Sequence, residues 1–531
     1  MAHRYYHNHH HNNSSTTTTL TANTSSTRHS HPSPPKPPPT PPPPINRDLS
    51  TRNTCALFLA LTWLTGLAST GGGLYLLLYT HHWTDFHGLP LPLPPLVKRL
   101  APLAVNVWLT VLQDSLGYVH AASLKWGLAR QGRLAFNSNL RLFTSAPASS
   151  SSVANAWYVN AVMLAAMVVA YASSSLLLVN AYDDDDDDNN IERLMRIDGW
   201  SVDADAAAAA IGVSGTAAVC LGAALLVQAA VATCALASTA TRAVPTWSSS
   251  PVDAVVACQE VAAAEGIVGV VSRHQPGRCL LGVADAPAHA ASSRVGAVAP
   301  RRRQRASWAA HKGARTVVWL LWALATLASV GAVAVELLMT RRGAGEPGVA
   351  LTGGHQLLGM GVFAALQAGV TLALHAAELP VGLTRDELAW RRAARRGGYR
   401  LEGYDAVWAA VSSWQAVVLF LAKPAIHWVF GLAVTVEYGW VYVRGVPFFC
   451  LAGAVAALAA YVTALSVWRP KGPQPAAYGH IQTLTDLIDE WSPVLYWGHK
   501  VSGPICHAGT SSRPMADIEM DQLYAGETWE R

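Results

Sequence analysis

The stretch TVVWLLWALATLASVGAVAVELLM, from Thr316 to Met339, decides the fold class. It has 24 residues, of which Glu336 alone is charged, and a helix of about 20 apolar residues crosses the ~30 Å hydrocarbon core of a membrane. Because lipid offers no hydrogen bonds to the backbone, such a run forms a helix. Seven other runs share this composition: Thr54–Tyr79, Ala101–Leu124, Val153–Val179, Ala208–Ala237, Ala350–Ala377, Val407–Thr435 and Pro447–Trp468.

The distribution of charge supports this interpretation. Asp, Glu, Lys and Arg make up 13% of the 531 residues, whereas soluble domains have ~25%. Among them only Asp114, Glu336 and Lys423 lie inside the eight runs. The runs are rich in Ala and Leu and lack the period-two alternation of barrel strands. The sequence therefore predicts an all-α polytopic membrane helix bundle of about eight transmembrane helices, spanning residues 51–468.

The positions of Lys and Arg predict the orientation, because cytosolic loops retain positive charge. The N-terminal tail, loops 125–152, 238–315 and 378–406, and the C-terminal tail 469–531 carry 29 of these residues, and the four intervening loops carry 7. Both termini are therefore predicted to be cytosolic. The pattern identifies an integral, multi-pass protein of the lipid bilayer without indicating which membrane it occupies.

Residues 1–50 form a low-complexity tail that is rich first in His and Asn, then in Ser and Thr, then in Pro. Such a composition cannot bury apolar surface, so a disordered N-terminal tail is predicted. Lys36, Pro39 and Pro42 match a ligand of Src-homology-3-type domains, which makes a cytosolic protein partner one interpretation and a plain spacer the other. The run Asp183–Asp188 lacks the spaced ligands of a calcium loop and is interpreted as a solvated spacer.

Basic clusters lie within two of the predicted cytosolic loops. Arg301, Arg302, Arg303 and Arg305 precede a span, where they either attract anionic lipid or serve only to orient the chain. A second cluster, from Arg391 to Arg400, predicts an amphipathic helix at the membrane interface that begins near Thr384. In the C-terminal tail, apolar residues at helical spacing predict a short amphipathic helix that docks on the bundle or on a partner: Ile481, Leu484, Leu487 and Ile488.

Several strings resemble a family of multi-pass membrane proteins of filamentous fungi to which no activity is assigned. They are QDSLGYVHAASLKWGLARQGRLAFNSNLRLFTSA (113–146), TLALHAAELPVGLTRDELAWR (371–391), SWQAVVLFLAKPAIHWVFGL (413–432) and RPKGPQPAAYGHIQTLTDLIDEW (469–491). The resemblance covers most of the chain after residue 100. It implies a fungal membrane protein and provides no catalytic or binding residues.

Two charged residues near the middle of their spans are the main candidates for a functional site. Each charge at this depth costs roughly 2.5–3.5 kcal/mol, so Asp114 and Lys423 are predicted to form an intramembrane pair or to face a common polar cavity. Pro424 is expected to kink the helix beside Lys423. Neutral side chains suggested as lining are Gln113, Gln228, Gln367 and Gln415.

A weaker candidate is the pair His375 and Glu378, which share one helix face at a span end. Together with His427 or Cys450 they have ligand types that suit a metal, but two ligands do not make a site, and an interfacial pair is the preferred interpretation. We expect no metal and no cofactor.

Enzyme motifs are missing from the sequence: there is no HExxH, GxSxG, Walker-type loop or GxGxxG after a strand pattern. Seven cysteines without CxxC spacing indicate neither a disulfide framework nor a zinc site. The excess of five positive charges reflects loops on two sides of a bilayer, so no nucleic-acid partner is expected.

These features favour a non-catalytic membrane scaffold or sensor, because most of the extramembrane sequence lies in predicted cytosolic segments. The alternative is a transporter or channel with a midplane polar site around Asp114 and Lys423.

Overall fold

The computed structural model describes residues 47–80, 89–92, 94–145, 153–180, 210–237, 244–265, 279–280, 282–283, 295–342, 348–352, 356–401, 406–437 and 440–527. The predictions for the N-terminal tail before residue 47 and for Asp183–Asp188 lie outside these ranges.

Helices dominate the described residues. They are α1 (Leu49–Thr80), α2 (Pro95–Arg130), α3 (Trp157–Leu176), α4 (Gly215–Ala237), α5 (Pro251–Glu265), α6 (Ser307–Ala310), α7 (Lys312–Arg342), α8 (Gln356–Ala376), α9 (Glu378–Trp390), α10 (Ala406–Val411), α11 (Trp414–Ala433), α12 (Gly445–Val467) and α13 (Ile481–Leu487).

Seven helices in these ranges are long and apolar enough to cross a membrane: α1, α3, α4, α7, α8 continued into α9, α11 and α12. Their outward faces expose large apolar side chains such as Trp319, Leu327 and Leu421, as expected for lipid-facing surfaces. The prediction of a multi-pass helical membrane protein is therefore confirmed. The predicted span Ala101–Leu124 lies within α2, which is not among the seven.

Helix α2 lies inside the bundle, where it packs against α1, α3, α4 and α11. The side chains of Leu112, Leu116 and Val119 are at most 1% exposed, and the polar residues Asn106 and Gln113 are buried as well. Because much of its surface faces protein rather than lipid, α2 accommodates polar residues that reduce its overall hydropathy.

Small residues allow α1 and α4 to approach closely. A Cβ atom on Gly222 would lie 2.6 Å from the backbone oxygen of Gly66, and one on Gly73 would lie 2.7 Å from the oxygen of Gly215. Contacts of this kind replace the hydrophobic effect as the source of helix association in lipid.

Short antiparallel sheets connect the loops at one end of the bundle. Strands β1 (Leu89–Pro92), β2 (Leu178–Asn180) and β3 (Ala210–Val213) come from the α1–α2 and α3–α4 connections and pair in the order β1-β3-β2. The α7–α8 and α11–α12 connections contribute a second sheet, β5-β8-β7, formed by Val349–Thr352 (β5), Val434–Glu437 (β7) and Trp440–Val443 (β8). The prediction of an all-α fold did not include these sheets, because strands this short leave little periodic signal.

The remaining connections and the C-terminal segment fold together. Strands β4 (Val295–Val298), β6 (Tyr399–Arg400), β9 (Val494–Val501), β10 (His507–Ser511) and β11 (Tyr524–Glu527) pair as β10-β9-β6 and β11-β4. Trp390, Tyr399, Leu484 and Trp497 belong to one buried apolar cluster here. Helix α13 coincides with the helix predicted in the C-terminal tail, whereas the strands that follow it were not predicted.

The interfacial helix predicted from Thr384 onward is wrong. Thr384, Glu387 and Trp390 in α9 are buried, and Arg391 is 9% exposed. Arg391 donates hydrogen bonds to Glu387 and to the backbone oxygens of Lys471 and Gln474, so this segment packs inside the protein. The side chains of Arg301, Arg302, Arg303 and Arg305 are exposed.

Candidate functional site

Lys423, in the middle of α11, connects three helices. Its Nζ donates to Oδ1 of Asp114 on α2 and, at 2.8 Å, to Oε1 of Glu378 at the start of α9. The Lys423 side chain is 4% exposed. The structure thus brings Asp114 and Lys423 into direct contact, and it adds Glu378, which the sequence analysis placed in a different pair.

Local sequence places these groups at irregular points of their helices. Pro424 follows Lys423 and has no N–H, so the carbonyl of Phe420 lacks its usual donor within α11. Glu378 is the first residue of α9 and follows Ala377, the one residue that separates α9 from α8.

Two further residues bind the Glu378 carboxylate. Nδ1 of His375, in the last turn of α8, lies 2.8 Å from Oε1, and Nε of Arg141 lies 3.7 Å from Oε2. Gly117 on α2 leaves room for the guanidinium, since a Cβ atom there would lie 2.5 Å from its NH1 atom. His375 and Glu378 therefore belong to the same group as Asp114 and Lys423, which we term the charged cluster (Asp114, Arg141, His375, Glu378 and Lys423).

A cavity of about 290 Å³ extends from this cluster. It follows α2 from Asp114 to Trp126, α9 from Glu378 to Arg385 and α11 from Lys423 back to Ala416. Polar segments 137–139 and 246–249 line its other end. The cavity therefore connects the middle of the bundle to the end that carries the C-terminal segment.

The carboxylates face this cavity. The side chains of Asp114 and Glu378 are 30% and 34% exposed, although they lie between helices in the bundle interior. Two carboxylates are balanced by Lys423 and Arg141, and Lys125 and Arg385 add positive charge towards the other end. Such a lining can bind a small hydrophilic solute, with charged groups at the closed end to fix its orientation.

Side chains at the far end of the cavity form a hydrogen-bonded junction. Nδ2 of Asn137 donates to Oδ2 of Asp386 at 3.0 Å and to the carbonyl of Ser249 at 3.1 Å, while its backbone N–H donates to Gly479. Gly479 has φ of +71°, and a Cβ atom there would lie 2.6 Å from Oδ2 of Asp386. Asn137 thus links its own α2–α3 connection to the α4–α5 connection, to α9 and to the C-terminal segment.

A metal ion suits the cluster poorly. Donor atoms of Asp114, His375 and Glu378 lie within 4.8 Å of one another, which is a possible ligand set. However, the Lys423 ammonium binds both carboxylates at the position that a cation would take. The ligands suggested to complete a site are elsewhere: His427 bonds Gln367, and Cys450 is exposed on α12.

The predicted neutral lining is not found, because Gln113, Gln228, Gln367 and Gln415 are absent from the described residues around the cavity. Conversely, the sequence analysis did not identify Arg141 or Asn137. Both lie in a polar connection with many similar residues, and no local pattern distinguishes them.

Comparison with protein-family models, with curated proteins and with solved structures gives no match for this chain.

Proposed function

We propose that the chain crosses the membrane eight times, with α2 as the additional span and both termini in the cytosol. Helix α2 has 36 residues, a length of about 54 Å at 1.5 Å per residue. The connection before α2 contains β1, which pairs in the sheet β1-β3-β2. The connection after α2 contains Asn137, which bonds the C-terminal segment, so the two connections belong to the two different ends of the bundle.

The start of α1 supports the same arrangement. The carbonyl of Arg47 accepts from the backbone of Trp247, and Thr51 Oγ1 accepts from the backbone N–H of Ala406. The N-terminal end of α1 therefore lies with the connections rich in Lys and Arg and with the C-terminal segment. The positive-charge rule assigns that end to the cytosol.

Within this topology, the protein is a transporter of a small hydrophilic solute that enters the cavity from the cytosolic side. The observation that carries the proposal is the 30% and 34% exposure of Asp114 and Glu378 in the bundle interior. An ion pair that merely fixes helix positions needs no access to water. This pair instead forms the closed end of a cavity that is lined by both polar and apolar side chains.

The breaks around the cluster agree with transport. Transporter sites near the bilayer midplane are commonly built where helices are interrupted. Here Lys423 precedes a proline inside α11, and Glu378 begins α9 where α8 ends.

A scaffold or sensor is the second candidate. The cytosolic connections and the C-terminal segment share a buried cluster that includes Trp390, Leu484 and Trp497, so they form a folded region able to present a surface to partners. On this hypothesis the cavity has no solute, and changing its lining leaves the function of the protein intact.

Thiol labelling tests the cavity. In a variant without the seven native cysteines, Ala416→Cys places a thiol in the cavity lining, and Val418→Cys places one on the 41% exposed apolar face of the same helix. A membrane-impermeant maleimide reacts with thiolates, which form in water and not in lipid. The rate of maleimide labelling is compared between sealed vesicles with the cytosolic face outside and sealed vesicles with the cytosolic face inside.

We expect Ala416→Cys to react at least tenfold faster than Val418→Cys, and only when the cytosolic face is outside. Equal, slow reaction of both variants would mean a sealed ion pair and would favour the scaffold. Fast reaction only from the opposite face would contradict cytosolic entry.

A further inference from the structure

We propose that His375 passes protons from the outer half of the bundle to Glu378, so that the two residues form a proton path from the outer half into the cavity. This inference rests on the proposed function. It starts from buried polar side chains that continue beyond the closed end of the cavity, away from the C-terminal segment.

These side chains lie one or two helical turns from the charged cluster. Gln367 precedes His375 by two turns on α8, His427 follows Lys423 by one turn on α11, and Tyr171 lies on α3. Gln367 Nε2 is 2.6 Å from Nδ1 of His427, and the Tyr171 ring stacks on the His427 ring with centroids 3.7 Å apart. We term them the outer polar group (Tyr171, Gln367 and His427).

Polar atoms of this group and of His375 have no hydrogen-bond partner in the described part of the chain. They are Nε2 of His375, Nε2 of His427, the Tyr171 hydroxyl and Oε1 of Gln367. The Gln367, His427 and Tyr171 residues are 0% exposed, and the His375 side chain is 2% exposed. Unpaired polar atoms are costly in an apolar interior, and a bound water molecule satisfies such atoms in many proteins. Water molecules at these positions would extend the polar contacts from His375 towards the outer half.

His375 has the geometry of a relay. Nδ1 lies 2.8 Å from Oε1 of Glu378, which only accepts hydrogen bonds, and 3.3 Å from a guanidinium nitrogen of Arg141, which only donates. We assign the ring proton to Nδ1 because its contact with the carboxylate is the shorter of the two. Nε2 then carries a lone pair on the side away from the carboxylate. A histidine oriented by a carboxylate in this way can gain a proton at one nitrogen while losing one from the other.

A proton from the outer half binds Nε2 of His375, and the Nδ1 proton passes to Oε1 of Glu378, which leaves a neutral imidazole and a neutral carboxylic acid. Lys423 stays paired with Asp114, whereas Arg141 loses its anionic partner Glu378. The added proton changes the net charge of the cluster from zero to +1. Glu378 faces the cavity and releases the proton there, which restores both ion pairs. A half-turn of the imidazole ring then returns the ring proton to the side of Glu378, ready for the next transfer.

Charged and titratable groups face His375 from each neighbouring element. They are Asp114 on α2, Arg141 in the α2–α3 connection, Tyr171 on α3, Glu378 on α9, and Lys423 and His427 on α11. Of these, Glu378 alone accepts from the ring at 2.8 Å, which makes it the recipient of the proton.

The test measures proton entry into liposomes that contain the full-length protein and a pH-sensitive dye, with a potassium gradient and valinomycin to set the potential and no solute added. The wild type is expected to acidify the lumen at least tenfold faster than empty liposomes. His375→Gln retains a donor for Glu378 but cannot titrate, so its rate should fall to that of empty liposomes. His499→Gln, on β9 outside the bundle, is the matched control and should keep the wild-type rate.

A wild-type rate equal to that of empty liposomes, or an undiminished rate in His375→Gln, would overturn the relay. If His375→Gln does not fold, Glu378→Gln decides, because it removes the acceptor and is expected to lose the flux equally. Thiol labelling at residue 416 is independent of proton flux. Fast labelling without flux would therefore reject the relay alone, and flux without labelling would reject the solute cavity alone.

Discussion

Lys423 and Glu378 are 45 positions apart, yet Nζ and Oε1 lie 2.8 Å from each other, and Nζ also contacts Asp114, which is 309 positions away from Lys423. One ammonium thus serves two carboxylates from two helices. This sharing makes the consequences of changing each partner unequal, because removal of the cation leaves two anions while removal of one anion leaves a pair.

Lys423→Met is expected to be strongly destabilising. It leaves Asp114 without a cation and Glu378 with only Arg141, and breaking a buried pair by removing one partner costs about 3–5 kcal/mol. Thermal unfolding of the purified protein in detergent measures the loss. Lys423→Arg, which keeps the charge, should lose much less; equal losses in the two variants would contradict a role for the charge.

Asp114→Asn should fold nearly normally, because Lys423 keeps its bond to Glu378. We expect a loss below about 1.5 kcal/mol, because the amide oxygen of asparagine can still accept a hydrogen bond from Lys423. If the site is a transport site, solute movement is lost while expression and unfolding temperature are retained. Failure of this variant to accumulate would instead indicate that the pair is chiefly structural.

Gly117→Ala is predicted to displace Arg141 from the cluster. The new Cβ atom would lie 2.5 Å from Nη1 of Arg141, so the guanidinium moves away and loses its contact with Glu378. A buried charged group that loses its partner costs about 1–3 kcal/mol. Gly361→Ala on α8 is the matched control, because no atom lies within 4 Å of its Cβ position and alanine favours the helix. Unfolding temperatures should fall in the first variant and not in the second.

Glu387→Gln should loosen the attachment of the C-terminal segment to α9. Glu387 is 0% exposed. Its Oε1 accepts a hydrogen bond from Nε of Arg391, and its Oε2 accepts hydrogen bonds from the backbone N–H groups of Ala477 and Tyr478. The amide leaves the Arg391 charge unpaired, at a cost of about 3 kcal/mol or more. Limited proteolysis should cut this variant after residue 469 faster than the wild type, and Arg395→Ala, at an exposed position, should behave as wild type.

The pair His507 and Asp489 predicts a pH dependence in the C-terminal sheet. Nε2 of His507 donates to Oδ2 of Asp489 at 3.0 Å, and this hydrogen bond, with a contribution from Cys279, raises the pKa of His507 to about 9. A raised histidine pKa stabilises the fold fully below its usual value near 6.5, and the benefit disappears as the pH rises through 9.

The stabilisation lost is on the order of 1.5–3 kcal/mol, as for a hydrogen bond to a charged group. Unfolding temperatures of the wild type and His507→Asn should therefore differ at pH 6 and converge towards pH 10. The pKa of Asp489 is lowered by His507, by Lys500 and by the Thr510 backbone, so its own contribution persists throughout this range. A constant difference between the two proteins would refute the assignment.

The sequence by itself determined the class of protein and the approximate positions of the membrane helices. Hydrophobic length is a local property, and a run such as Thr316–Met339 needs no partner to be recognised. Asp114 and Lys423 were identified for the same reason, because an isolated charge in an apolar run is expensive wherever the helix lies.

Only the tertiary structure decided which charges meet and what surrounds them. Which faces of α2, α9 and α11 turn towards one another depends on packing, so the sequence did not show that Glu378 shares Lys423 with Asp114. Arg141 joins them because Gly117 on α2 leaves space for its guanidinium, and no local sequence pattern indicates this contact. The small sheets likewise form because loops from separate helix pairs are brought together, and strands of two to eight residues acquire their hydrogen-bond partners only then.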